Sequence, residues 1–438
     1  MKSKGLLTAS FLLLVLSGII WWSNKKTATA NKIPVENTST KLLSVPEDQI
    51  QEIEIQKRAG EAIRLQRNEA SWQIAGPKPL RADPDAISGM LSSLSSLSSD
   101  RTVEEKVASL DPYGLTQPAI ELDVIDKSNK EAKILIGDQT PAGTAVYAAI
   151  ASDPRVFAIS NYKTSSFDKS ASDLRDKRML VFDTDRVSRV ELQSKKQSIE
   201  FGRDKDHWLI VKPSPLRVDQ SAVEELLRTL HDLKMDLSST EDEKKVSVAF
   251  HSATPYAIAR ISDPSGTQQL EIRKSKDDYY AKSSAVEGVH KIPSNAGTGL
   301  DKSLDEFRNR KLFDFGFADP DKLEIRDGPK SYFLSRSNSD WWSNGTKLDN
   351  AAMTTLIAQI RDLAAIKFIN SGFTTILLDL AVTSDNGKRT ERVLISKNED
   401  RYIAKREGEP ALYEVAASAV SELQRSAADL KPATPVKK

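Results

Sequence analysis

Residues 214–233 read SPLRVDQSAVEELLRTLHDL, and residues 78–97 read KPLRADPDAISGMLSSLSSL. Both carry Pro-Leu-Arg, one residue, an aspartate, and then apolar residues at helical spacing. A weaker echo, TKLDNAAMTTLIAQIRDL, occupies residues 346–363. A phrase repeated at long range constrains the fold more than any single residue does, because it implies one structural unit built more than once. Asp83, Asp219 and Asp349 stand where a helix N-cap is needed, since a carboxylate there accepts from free backbone N–H groups. Pro84 suits the first helical position. Val223, Leu226, Leu227, Leu230 and Leu233 then form one apolar stripe, as do Met353, Leu356, Ile357, Ile360 and Leu363. Such helices pack on a sheet face.

The tryptophans set the register of the repeat: Trp72, Trp208 and Trp342 lie 136 and 134 residues apart. Upstream of each, an acidic turn opens onto alternating apolar residues (Ile53 and Ile55, Val190 and Leu192, Leu323 and Ile325). Period two marks half-buried strands. A second strand follows at Ile63 and Leu65, Ile199 and Phe201, or Phe333, and a third bears the tryptophan. The expectation is an antiparallel meander.

After each helix come further strands: AIELDVID, AKILIGD, AVYAAI and RVFAIS first, with counterparts from AIARISD to GVHKIP and from LLDLAVT to ALYEVA. SDNGK at 384–388 is a hairpin signal, because Asn-Gly readily adopts positive φ. Closing helices are expected to end at residues 172–178, 304–311 and 420–431. The fold class is therefore α+β, with three tandem repeats of strand meander plus helix, then strands plus helix, at 45–183, 184–318 and 319–432. The third is shorter because it lacks a counterpart of TVEEKVASLDPYGLTQP. The repeated residues are read as caps and core, the alternative being equivalent binding sites.

A chain of 438 residues exceeds one ordinary core. Its 63 basic and 62 acidic residues leave no basic excess for nucleic acid. Cysteine is absent, which removes disulfides, thiolate metal sites and cysteine nucleophiles. Residues 5–22 form an uncharged run near the lower limit for spanning a bilayer, with Trp21 and Trp22 at the end where amphipathic rings favour the interface. We read residues 1–22 as an N-terminal membrane anchor; the alternative is a cleaved signal with Ala28-Thr29-Ala30 as its site. Residues 23–44 read as a flexible tether, and 433–438 as a basic tail.

Chemical motifs are few. His207, His231, His251 and His290 are the only histidines, and no pair has metal-ligand spacing. His207 abuts a strand tryptophan, His231 falls on a helix, His251 in a loop and His290 on a strand. GDQTPAGT at 137–144 reads as a hairpin loop rather than a phosphate loop. Asp183/Asp185 and Asp319/Asp321 read as turn residues rather than calcium ligands, because the calcium-loop order is missing. The basic runs at 175–178 and 308–311 read as helix C-termini, where cations meet free carbonyls, with an anionic partner surface as the alternative. No catalytic, cofactor-binding or metal residue is nominated, and no cofactor is expected.

DPYGLTQPAIEL, ILIGDQTPAGTAVYA, VFAIS and SDLRDKRMLVFD resemble the bacterial domain-of-unknown-function family DUF4340. The match is best in the first repeat, weaker in the second and faint in the third. Members resemble envelope proteins with one N-terminal membrane segment, often encoded beside ABC-transporter permeases and gliding-motility-type auxiliary proteins. The family has no established activity, so no site residue is carried over. The expectation is a non-enzymatic, membrane-anchored extracytoplasmic accessory or scaffold protein of an ABC-type transporter complex. It would be single-pass in the inner membrane with its bulk in the periplasm. Its partners would be the membrane, through the N-terminal helix, and a permease with its auxiliary subunits, not nucleic acid. The alternatives are a periplasmic ligand-binding module for cell-wall glycan or a small solute and, more remotely, an envelope hydrolase.

Overall fold

The computed structural model describes residues 39–69, 71–194, 197–238, 242–295 and 299–433. The apolar segment at 5–22, most of the tether and residues 434–438 of the tail lie outside the described residues. Among the described residues no helix is long and apolar enough to cross a membrane. The chain divides into two compact units, Met1–Lys177 and Arg178–Lys438.

The first unit holds one antiparallel sheet. Its meander is β1 (Ile50–Lys57), β2 (Ile63–Asn68), β3 (Ser71–Ile74) and the short β4 (Leu80–Arg81). Helix α1 (Pro84–Ser95) and β5 (Arg101–Glu104) follow. The second group is β6 (Ile120–Asp126), β7 (Glu131–Gln139), β8 (Ala145–Ile150) and β9 (Val156–Ser160), closed by the one-turn helices α2 (Asn161–Thr164) and α3 (Ala171–Leu174). The order β4-β3-β2-β1-β6-β7-β8-β9-β5 joins the two groups at β1 and β6 and returns β5 to the far edge. Ile53 faces Leu65 on one side and Val124 on the other, all three fully buried. The core also takes in Leu42 and Leu43, so ordered packing begins before residue 45, inside the stretch read as tether.

The second unit holds two sheets. One is built from β10 (Arg189–Ser194), β11 (Gln197–Asp204), β12 (His207–Lys212) and β13 (Leu216–Arg217), then helices α4 (Gln220–His231) and α5 (Glu243–Ser252). Strands β14 (Thr254–Asp263), β15 (Gly266–Ser275), β16 (Asp278–Ser283) and β17 (Val289–Ile292) complete it, before α6 (Leu304–Phe307). Its order is β13-β12-β11-β10-β14-β15-β16-β17.

The other comprises β18 (Lys322–Asp327), β19 (Lys330–Ser337), β20 (Asp340–Ser343), β21 (Thr346–Lys347), α7 (Asn350–Asp362) and β22 (Ala365–Ile369). It ends with β23 (Ile376–Ser384), β24 (Arg389–Asn398), β25 (Arg401–Arg406), β26 (Leu412–Val415) and α8 (Ala417–Ala428). Its order, β21-β20-β19-β18-β23-β24-β25-β26-β22, is that of the first sheet. The first and third sheets thus carry a ninth strand at the far edge. In the second, the corresponding stretch donates one backbone hydrogen bond, from the Asp236 N–H to the Lys291 carbonyl.

The expected helix starts are present. The Asp83 carboxylate accepts from the Asp85 and Ala86 N–H groups, Asp219 from Ser221 and Ala222, and Asp349 from Ala352. Each aspartate also donates its own N–H to the end of its sheet's segment: Asp83 to the Leu174 carbonyl, Asp219 to Phe307 and Asp349 to Lys431. The repeated phrase is therefore the place where each sheet closes on itself. In α4, Val223, Leu226, Leu227 and Leu230 are buried, each worth roughly 1.5–3 kcal/mol of apolar burial.

Four expectations change. In the third sheet Leu334 and Trp341 face the core, whereas Phe333 is half exposed and Trp342 partly so. The register pairs Trp72 with Arg67, Trp208 with Arg203 and Trp341 with Arg336, so the third tryptophan of the series is Trp341. A one-residue slip exchanges the faces of a strand, and the Trp-Trp pair hides which residue is inside. His251 lies in α5, not in a loop. The basic runs are not helix ends: α3 and α6 stop at Leu174 and Phe307, and Arg175 and Arg308 are extended, bridging to Ala82 and Val218. Finally, β22 fills the edge place of β5. What the third sheet lacks is the excursion after that strand, which in the first sheet covers Ala149 and Val156 with Leu115.

Candidate functional site

The phrases behind the family resemblance meet in the first unit. Gly114 takes φ of +64°, and a Cβ there would meet the Asp138 carboxyl carbon at 2.3 Å. A Cβ on Gly137 would meet the Tyr113 carbonyl oxygen at 2.2 Å. The Tyr-Gly-Leu turn therefore lies directly on the Ile-Gly-Asp segment of β7. Arg58 fastens the pair, reaching the Asp138 carboxylate at 2.8 Å and the Gln117 carbonyl at 2.7 Å. Tyr113 adds an O–H bond to Glu104 and an edge-on ring contact with Tyr147. These residues are held by one another.

The residues weighed for chemistry are scattered. His231 contacts the Asp232 carboxylate at 2.9 Å, His251 the Ser247 carbonyl at 2.7 Å and His290 the Glu287 carbonyl at 2.9 Å. Among the described residues no group of three His, Asp or Glu could hold a metal ion. Asp183 accepts from the Asp185 N–H, and Asp321 from the Gly387 N–H. The loop at 137–144 joins β7 to β8, with the Thr140 N–H donating to the Ala145 carbonyl.

The second unit contains the site with the most polar convergence, where the second and third sheets meet. Arg217, on β13, lies 2.5 Å from Asp314 and 2.9 Å from Glu409. Burial alone would lower its pKa, but the Asp314 and Glu409 charges outweigh this and raise it. Arg406 binds Glu409 at 2.8 Å and Glu391 at 3.0 Å, and also donates to the Leu312 carbonyl. Arg389 lies 3.2 Å from Glu391. Tyr413 donates to Glu409 at 2.7 Å, and burial pushes its own pKa up. Three guanidinium groups thus face three carboxylates. The Glu391 side chain is only 5% exposed, which is tolerable for a charge only when it is paired.

Beside this network opens a cleft of about 730 Å³. Its walls hold five basic side chains (Arg217, Arg308, Arg310, Lys311, Arg389) and three carboxylates (Asp219, Glu306, Asp314), with His207 at the mouth of β12. Arg308 stacks on Phe368 at 3.5 Å from the ring centre and pairs with Asp305, while Arg310 donates to the Ile366 carbonyl. The sequence singled out the run at 308–311, His207 and, in the repeated phrase at 214–233, the cap Asp219, but nothing in it brings them together. The walls come from β12, β13, α4 and β24, elements distant in the chain whose meeting no local pattern announces.

Fold and site together define an α+β protein of antiparallel sheets in which three guanidinium groups pair with three carboxylates at one junction. The model of one family, described as "Domain of unknown function (DUF4340)", matches residues 72–245 and again 208–376. The chain belongs to that family. No curated protein matches it. Among solved structures, two crystal structures of the DNA polymerase sliding clamp from Pseudomonas aeruginosa, one with ligand, are 9% identical. They cover 87% and 86% of this chain and 95% and 93% of theirs, with a TM-score of 0.16, which carries no argument.

Proposed function

We propose that the protein is a non-enzymatic accessory scaffold: a membrane-anchored chain that carries three tandem α+β repeats on the extracytoplasmic face and supports an ABC-type transporter complex. The observation that carries the reading is the junction network. Arg217 of the second sheet meets Asp314 and Glu409, while Arg406 and Arg389 hold Glu409 and Glu391 on the third, so one arginine ties the two sheets through a paired network. Charges spent on joining sheets suit a scaffold better than a catalyst, which needs ionisable groups aimed at a substrate. The repeated aspartate caps support the repeat reading, since each does the same closing task in its own sheet. Family membership and the apolar segment at 5–22 supply the membrane and transporter parts of the proposal.

The test is purification of the tagged full-length protein from its native membranes in mild detergent. A permease or its auxiliary subunit should co-purify in fixed ratio. Recovery of the protein alone, under conditions that preserve other complexes of the same membrane, overturns the reading.

A further inference from the structure

We infer that the cleft beside the junction network binds a small multivalent oxyanion, one bearing phosphate or carboxylate groups. The argument is one of donors and acceptors. All three carboxylates on its walls already accept hydrogen bonds. Asp219 accepts from the Ser221 and Ala222 N–H groups, Glu306 from the Ser303 N–H and hydroxyl, and Asp314 from Arg217 and Asn309. The basic groups are satisfied less completely. Among the described residues Lys311 has no carboxylate partner, and the Arg310 guanidinium, which lies over Phe368, donates only to the Ile366 carbonyl and makes no carboxylate hydrogen bond. A guanidinium carries five N–H donors and an ammonium three. Arg389 is bonded to Glu391 and the Asp314 carbonyl, yet its side chain is 46% exposed at the same walls. Five cations against three carboxylates leave the walls with an excess of positive charge, which selects an anionic ligand that accepts. Two or more negative charges match a wall that presents Arg310, Lys311 and Arg389 together. The volume of about 730 Å³ falls within the ordinary range for small-molecule sites.

Phosphate and carboxylate share this chemistry, and two probes separate them. Pyrophosphate and citrate are titrated calorimetrically into the full-length protein in detergent at about 50 mM salt, where exposed charges are weakly screened. Saturable binding of either is expected, and the tighter probe identifies the headgroup. Lys311→Glu should weaken it about tenfold or more, because it reverses a charge on the wall. Lys282→Glu, a reversal on β16 away from the cleft, should leave it unchanged; circular dichroism confirms that both variants fold. Absence of saturable binding for both probes, or equal weakening by both reversals, overturns the inference.

Discussion

Gly137 has a carbonyl oxygen where any other residue would place its Cβ. The Tyr113 oxygen, 2.2 Å from that position, belongs to backbone, so the clash cannot be relieved by a rotamer change. Gly137→Ala should therefore lift the 111–115 turn from β7 and destabilise the first unit by about 2–4 kcal/mol. Urea denaturation measures the loss, and hydrogen exchange should place it at the turn. Gly89→Ala is the control: Gly89 lies in α1 with nothing within 4 Å of a built Cβ, so it should stabilise by about 0.5–1 kcal/mol. The sequence shows the two glycines but not their contact, which joins residues distant in the chain. The Phe333/Leu334 and Trp341/Trp342 pairs mark the opposite limit. Adjacent apolar residues on a strand leave period two undecided, and only the pairing of Leu323 with Leu334 fixes the face.

At the level of elements, the aspartate caps were legible because a cap is local chemistry: one side chain and the two or three N–H groups that follow it. Asp219→Ala should cost about 1 kcal/mol from the lost cap, visible as a lower denaturation midpoint of the second unit, and Asp219→Asn should restore most of it. Helix α5 was not legible. Its apolar residues Val246, Val248 and Phe250 alternate as a strand would, yet Val246 and Phe250 are buried one turn apart while Val248 is 69% exposed. Packing against Tyr280 of β16 decides the matter, and propensity is weak enough to be overruled by it. The basic runs misled for a related reason. Ser170 with Asp173 and Ser303 with Glu306 form capping boxes, which announce a helix start. Nothing in the runs announces that the helix ends after one turn; the bridges from Arg175 and Arg308 to strand-end partners do that.

Over the whole chain, three strand meanders and the helix after each could be read from periodicity, whereas the joining of the second and third sheets could not. Its members, from Arg217 to Glu409, are distant in sequence and unremarkable one by one. Arg406 is 11% exposed, so Arg406→Ala leaves the buried Glu391 and the partly buried Glu409 with fewer partners. A loss of about 3–5 kcal/mol is expected. Calorimetry should show the loss as a lower unfolding temperature of the second unit. The same junction has a mechanical meaning. Residues 308–311 are a strap clamped at both ends, by the Arg308–Val218 bridge to one sheet and the Lys311–Ala364 bridge to the other. Tension applied along the chain would reach this strap as shear across two short bridges stiffened by the contacts of Arg308 and Arg310 with the Phe368 ring. The second and third sheets would then bear load together instead of unravelling in turn, as a link in a taut line must.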